Sequence, residues 1–242
     1  MRAGITLARM PRAVLFDLFN TLIPGGDDGT RDAALATMAG VLGVDPTAYI
    51  AAFNRTWPAR HTGALGDLDR EIREVARLVG GAPEGDRVAE ALAIRQEMNA
   101  GLFSSVADAT LSVLDGLRTA GWSLGLVSNT SAGSPEAFRR GRLAPRFDAA
   151  GFSNEIGVGK PDPRIYLAVC ERLAVEPGDC VYVGDGADAE LAAAEALGMQ
   201  AIRTTEHADT DPTWTGPVVA RLTELAAQLA SLQPDAPSGL VG

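Results

Sequence analysis

Lysine is nearly absent from this chain. Among 21 basic residues in 242, twenty are arginine, and Lys160 is the only lysine. The chain uses arginine wherever a surface cation would serve. A single lysine set between glycines and a Pro-Asp-Pro turn, in "GVGKPDPRIY" (157–166), therefore calls for a local reason. Cysteine is scarce too. Cys170 falls in a helical pattern and Cys180 just before an apolar strand, so no disulfide framework is expected and both read as reduced core residues. The two histidines, His61 and His207, are too isolated for a metal site and read as surface or loop residues. No apolar run approaches the length of a membrane span, and "MRAGITLARMPR" at the start has no apolar core for a signal peptide. Positive charge is outweighed as well: a formal net charge of -10 argues against nucleic acid or an anionic membrane as partner. A soluble, acidic, cytoplasmic protein is expected.

What is present is a regular alternation. A hydrophobic content of 46% and a charged content of 21% suit a globular chain, long enough here for a core domain with a smaller insert. Four short apolar runs, each followed by turn residues and a helical pattern, read as buried parallel strands. They are "AVLFDLF" (13–19), "WSLGLVSN" (122–129), "CVYVGDG" (180–186) and the weaker "MQAIRT" (199–204), with "AGFSNE" near 150–155 as a further candidate. Amphipathic segments occupy 108–119, 134–142, 163–173 and 188–197, and Gly121 and Gly198 stand where helix ends favour a left-handed residue. The pattern predicts a three-layer α/β core, a Rossmann-like parallel sheet with right-handed crossovers.

The first strand–helix unit is interrupted. From about 27 to 104 there is no strand pattern but four helical ones, near 31–42, 46–57, 68–79 and 84–100. Asp45 caps the second ahead of Pro46, and Asp67 caps the third. The expected organisation is a core domain of 1–24 and 105–230, a helical-bundle domain of 25–104 on linkers near 24–26 and 101–105, and a disordered tail at 231–242.

In an open α/β sheet the ligand site lies at the carboxyl ends of the strands. Those ends carry Asp17, Ser128 with Asn129, and Asp185, while Lys160 lies in a loop on the same edge. Asp17 interrupts an otherwise apolar run, where a carboxylate is costly unless paired or liganded; Asp185 repeats the pattern. Two carboxylates brought close need a cation between them, and hard oxygens suit Mg²⁺. A carboxylate is also a competent nucleophile toward phosphorus. Lysine would neutralise a carboxylate and an incoming anion, and the Ser128 hydroxyl with nearby N–H groups would bind the transferring group.

In their order, "VLFDLFNTL", "LVSN", "GKPDPRIY" and "VGDGADAE" resemble the four motifs of the haloacid dehalogenase superfamily, over residues 13–205. The helical insert stands where that family places a C1-type cap. The resemblance implies Asp17 as nucleophile and Mg²⁺ ligand, Ser128 as phosphate-oxygen donor and Lys160 as stabilising cation. It further implies Asp185 as second metal ligand, with Glu190 supporting. The Phe19 carbonyl can still serve a metal, Asn129 is a candidate supporting residue beside Ser128, and Asp188 is a candidate for positioning metal waters, equally suited to cap the helix at 188–197. The receiver domain of two-component signalling also joins aspartates, a hydroxyl and a lysine, but it is shorter, has no cap and sets its acidic pair before the phosphoacceptor strand.

One position departs from the family's phosphatases, which carry Asp-x-Asp in the first motif with the second Asp as general acid/base. Here that position is Phe19. General acid help is worth about 10²–10⁴-fold, so a poor leaving group should turn over slowly. The dehalogenase branch also lacks this Asp, yet it needs no metal, and Asp185 without a cation would repel a haloacid. The phosphonate-cleaving branch needs a cap lysine, and 25–104 has none. Three readings remain: a Mg²⁺-dependent phosphohydrolase of a small phosphorylated metabolite, a 2-haloacid dehalogenase-like hydrolase, and a catalytically weak protein that binds metal and a phospholigand.

In the insert, "FNRTWPARHTG" (53–63) offers Arg55, Arg60 and His61 as substrate contacts, His61 also as a replacement proton donor. The alternative is a solvated helix end with Trp57 packed inside. Oligomeric state is not legible in the sequence, and a homodimer is compatible with it.

Overall fold

In the computed structural model, which describes residues 13–232, the chain enters the sheet at β1 (Ala13–Phe16). Its side chains alternate: Val14 and Phe16 join one apolar cluster, Ala13 and Leu15 another on the opposite face, and all four are fully buried. Burial on both faces is what makes the strand read as a continuous apolar run.

Between β1 and β2 the chain is helical: α1 (Asp28–Leu42), α2 (Pro46–Arg55), α3 (Trp57–His61), α4 (Leu68–Arg77), α5 (Gly85–Ser104) and α6 (Asp108–Thr119). There follow β2 (Ser123–Ser128), α7 (Ser134–Arg140), β3 (Ala149–Phe152), α8 (Ser153–Ile156), α9 (Pro163–Leu173), β4 (Cys180–Gly184), α10 (Glu190–Ala196), β5 (Gln200–Thr204), β6 (Val218–Val219) and α11 (Leu225–Ser231). The strands form one parallel sheet in the order β3-β2-β1-β4-β5-β6. β1 is therefore central, and its last residue, Phe16, lies beside Leu126 of β2 and Val183 of β4. α6, α7 and α11 cover one face through Leu114, Phe138 and Leu225; α9 and α10 cover the other through Ile165, Val169 and Leu191. This is the α/β core expected from the strand–helix alternation.

The helices α1 to α5 bury an apolar cluster of their own, including Leu35, Met38, Tyr49, Ile72, Val75 and Val88. Asp45 and Asp67 cap α2 and α4 as their spacing predicts, accepting from the N–H groups of Ala48 at 2.8 Å and Arg70 at 2.9 Å. Such caps are each worth about 1 kcal/mol. Gly121 and Gly198 end α6 and α10 with φ of +89° and +87°.

Several boundaries differ from expectation. α1 starts at Asp28 rather than 31, because Asp27 accepts from the Thr30 N–H at 2.7 Å and opens the helix earlier. The helix expected over 46–57 stops at Arg55, and the chain breaks at Thr56 before α3. α5 runs on through 101–104, so the linker expected at 101–105 is largely helical and the chain leaves the helical segment only at Ser105. β6 and α11 were not legible: β6 has two residues, too few for a period. No single helix among the described residues is long and apolar enough to cross a membrane. The N-terminal stretch 1–12 and, beyond residue 232, the expected tail lie outside the described residues.

Candidate active site

The sheet sets its acidic groups at one edge. Asp17 directly follows β1, and its N–H donates to the Val183 carbonyl at 2.9 Å, so the side chain is held where β1 and β4 end. Asp185 follows β4. Its Oδ1 accepts from the Ala187 N–H at 3.0 Å, and its carbonyl accepts from Thr210 Oγ1 at 2.6 Å. Asp17 is 5% exposed and Asp185 1%. Burial raises the Asp17 pKa; Lys160 opposes this, and the neighbouring Asp185 carboxylate adds to it.

Lys160 reaches into this edge from the loop before α9. Its Nζ donates to Asp17 Oδ1, to Glu190 Oε2 at 2.5 Å and to the Tyr182 hydroxyl at 3.3 Å. Burial alone would lower the pKa of the ammonium; the carboxylates of Asp17 and Glu190 outweigh it and hold the group above lysine's usual value. Glu190 is buried to the point that its own pKa is pushed up to about 8 despite Lys160. It also accepts from the Tyr182 hydroxyl at 2.7 Å and from the Gly186 N–H at 3.0 Å. Gly184 makes room for it: a Cβ there would meet Glu190 Oε1 at 2.0 Å. Asn129 fixes the lysine loop from β2. Its Oδ1 accepts from the Lys160 N–H at 2.7 Å, and its Nδ2 donates to the Lys160 carbonyl at 3.1 Å and to Asp188 Oδ2 at 2.7 Å.

The donor set suits a small hard cation. One oxygen each from Asp17, Asp185 and Glu190 lies within 4.8 Å of the others, all in buried positions. Asp185 Oδ2 has no hydrogen-bond partner among the described residues, and neither has Ser128 Oγ, which is fully buried at the end of β2. A buried carboxylate oxygen without a partner costs free energy that a cation would recover. Beside these groups opens a cavity of about 1010 Å³, walled by Asp17, Phe19, Lys160 and Asp185 on the sheet side and by α1, α2, α3 and α5 on the other.

With this geometry in view, comparison with known proteins decides the family. Residues 11–198 match the family model of the haloacid dehalogenase-like hydrolases. The chain belongs to that family. The hydrolase is 29% identical over 198 residues to a glyceraldehyde 3-phosphate phosphatase of Methanopyrus kandleri, an alignment covering 80% of this chain and 84% of that protein. It is 31% identical over 215 residues to a phosphoglycolate phosphatase of Xylella fastidiosa, covering 84% and 86%. In structure it resembles a 2-haloacid dehalogenase from Pseudomonas syringae pv. Tomato, with a TM-score of 0.73 and 22% identity over 93% of this chain and all of that one; this likeness bears on the fold.

The fold of the hydrolase thus brings together Asp17, Lys160, Asp185, Glu190, Asn129 and Asp188. Ser128 sits at the expected strand end, but its neighbours Asn129, Thr130 and Ser131 line the cavity instead. Asp188 does not cap a helix: it stands at φ +56° and gives its carboxylate to Asn129. Phe19 turns its ring into the cavity wall, edge-on to Phe103 with centroids 6.2 Å apart.

The helical segment departs further from expectation. Arg55 is exposed and off the cavity wall. The picture of a solvated helix end over a packed Trp57 is inverted: Trp57 is 40% exposed and Arg60 3%. Arg60 lies 3.5 Å over the Phe53 ring, donates to the Phe53 carbonyl at 3.0 Å and pairs with buried Glu71 at 3.5 Å. Burial pulls its pKa down to about 10, against the pull of Glu71. His61 is half-buried rather than a surface residue, stacked on Trp57 with centroids 5.3 Å apart and close beside Gly159. It is off the cavity wall, and burial lowers its pKa, which does not suit a proton donor.

The sequence reading missed Arg95, Asn99, Glu71 and Ser131, all buried beside or between the two halves. A signal existed: Val88, Ala91, Arg95, Asn99 and Phe103 form one buried stripe on α5, and an arginine and an asparagine on such a stripe are out of place in an ordinary bundle core.

Proposed function

We propose that the hydrolase is a Mg²⁺-dependent phosphohydrolase acting on a small phosphorylated metabolite through an aspartyl-phosphate on Asp17. The observation that carries this reading is the unpartnered, buried Asp185 Oδ2 beside Asp17. A second carboxylate at this depth makes physical sense with a cation, and a cation makes sense with phosphate. The relatives matched over four-fifths or more of the chain are phosphatases, which supports the same conclusion.

Asp17, Asp185 and the Phe19 carbonyl would hold Mg²⁺. When bound, it would offset the repulsion between the carboxylates and the phosphoryl oxygens and withdraw charge from phosphorus. Lys160, tied to Asp17 Oδ1, orients the nucleophile and adds a fixed positive charge. An Asp17 carboxylate oxygen attacks phosphorus, a new O–P bond forms, and the bond to the leaving oxygen breaks with its electron pair. Water then cleaves the acyl phosphate, returning the carboxylate and releasing inorganic phosphate. The unpartnered Ser128 hydroxyl at the end of β2 and the N–H groups that follow it would donate to the phosphoryl oxygens. Phe19 has no proton to give, so the leaving group departs unassisted. In this reading α1 to α5 form the cap over the site, which shuts water away during transfer.

A second reading rests on the same Phe19: halide needs no proton on leaving, as in 2-haloacid dehalogenation. A graded panel separates the two. Acetyl phosphate, p-nitrophenyl phosphate, a sugar phosphate and 2-chloropropionate are assayed with Mg²⁺ and with EDTA. Expected is phosphate release that needs Mg²⁺, is lost in Asp17→Asn and is faster for the better leaving groups. Chloride release indifferent to EDTA would overturn the phosphohydrolase reading.

A further inference from the structure

The cavity has a second set of polar groups, on α5 and in the loop after β2. Arg95 and Asn99, one turn apart on α5, are 6% and 3% exposed, and both line the cavity. Arg95 Nη2 donates to Ser131 Oγ at 3.1 Å, and its Nη1 has only the soft sulfur of Met98 at 3.7 Å. Arg95 Nε and Asn99 Nδ2 have no hydrogen-bond partner among the described residues. A buried guanidinium and a buried amide with unused donors are costly unless a ligand completes them.

Charge identifies the ligand. Arg60, Arg95 and Glu71 are buried together, and Glu71 also accepts from the Ala132 N–H. Arg31, which also faces Arg95, is paired with Asp28 and Asp32 at the partly exposed rim; among the buried groups, two guanidiniums against one carboxylate leave a surplus of one positive charge. Arg60 spends its donors on Thr56, Glu71 and the Phe53 carbonyl. The surplus therefore resides on Arg95, and it balances a monoanion rather than a second phosphate dianion. Apolar side chains, Phe19, Ile94, Met98 and Leu102, also line the cavity and suit a short carbon skeleton.

We propose that Arg95, Asn99 and Ser131 form a receptor for a carboxylate at the far end of the substrate, so that the hydrolase acts on phosphomonoesters that are also carboxylic acids. The proposal rests on the phosphohydrolase reading above. Arg95 and Asn99 come from α5 and Ser131 from the loop after β2, so a bound carboxylate also ties the helical segment to the sheet.

The test compares 3-phosphoglycerate with glycerol 3-phosphate, which differ by a carboxylate against a hydroxymethyl group, through kcat/KM of the full chain with Mg²⁺. The wild type is expected to prefer 3-phosphoglycerate at least about tenfold. Arg95→Met brings the ratio near unity, and Arg95→Lys restores part of it. Asn99→Asp, which sets an anion in the receptor, inverts the preference and serves as the second variant should Arg95→Met fail to fold by circular dichroism. A wild-type ratio at or below one while acetyl phosphate is hydrolysed overturns the receptor and leaves the phosphohydrolase reading standing. A ratio unmoved by both variants does the same, as does a larger preference for a bisphosphorylated sugar over its monophosphate. No hydrolysis of acetyl phosphate overturns the phosphohydrolase reading itself. Calorimetric titration of the same two compounds into Asp17→Asn then decides the receptor, tighter binding of 3-phosphoglycerate supporting it and equal affinity refuting it.

Discussion

At the scale of single residues, Lys160 joins two carboxylates buried as deeply as itself, Asp17 and Glu190. Removing one partner of such a group leaves uncompensated buried charge, which costs about 3–5 kcal/mol. Lys160→Met is expected to lower stability to denaturant by about that amount near neutral pH. The sign of its pH dependence follows from Glu190, whose folded pKa of about 8 stands above the ordinary 4.5. Between those values the folded state holds the proton more tightly than the unfolded chain, so stability rises as pH falls. Lys160 holds that pKa down, so without it the folded pKa rises further, and the defect in Lys160→Met should be larger at about pH 9 than at about pH 6; a loss below about 1 kcal/mol at both would contradict the pairing. The lysine was legible in the sequence because a chain of arginines made it conspicuous, and Asp17 because it broke an apolar run. Arg60 and Arg95 were hidden by the same abundance of arginine, since nothing local distinguishes a buried one from twenty in all.

At the scale of elements, the seam between the helices and the sheet rests on a close approach. Gly63 stands at φ +71° after α3, and a Cβ there would meet the Asn154 carbonyl oxygen of α8 at 2.1 Å. A non-glycine residue in this conformation costs about 1–3 kcal/mol before the clash is counted. Gly63→Ala is expected to lower the melting temperature by several degrees and, by lifting α3 from α8, to raise KM more than it lowers kcat. Unchanged Tm and KM would show that the seam plays no part in seating the helices over the site. Caps and apolar runs made most elements legible: Asp45 and Asp67 announce α2 and α4, and "AVLF" and "CVYVG" announce β1 and β4. The extension of α5 through Gly101 and the pairing of β6 with β5 depend on tertiary contacts that no local period records.

At the scale of the whole molecule, a parallel sheet gathers Asp17, Lys160 and Asp185 at one edge, and a helical segment closes a cavity over them. The order of four short motifs carried the fold, because three of them end strands β1, β2 and β4, the other opens α9, and the strands can reach one edge in few ways. The far wall of the cavity was not legible, because it depends on which face of each helix turns inward. Everything proposed about chemistry depends on Asp17 attacking phosphorus. The most direct test is to quench the reaction with acetyl phosphate and Mg²⁺ before the steady state and to map the adduct by mass spectrometry. Expected is a phosphate on the peptide that contains Asp17, absent in Asp17→Asn and absent with EDTA. Phosphate release with the adduct on another residue, or with no adduct while Asp17→Asn remains active, would contradict the assignment of Asp17 as the nucleophile.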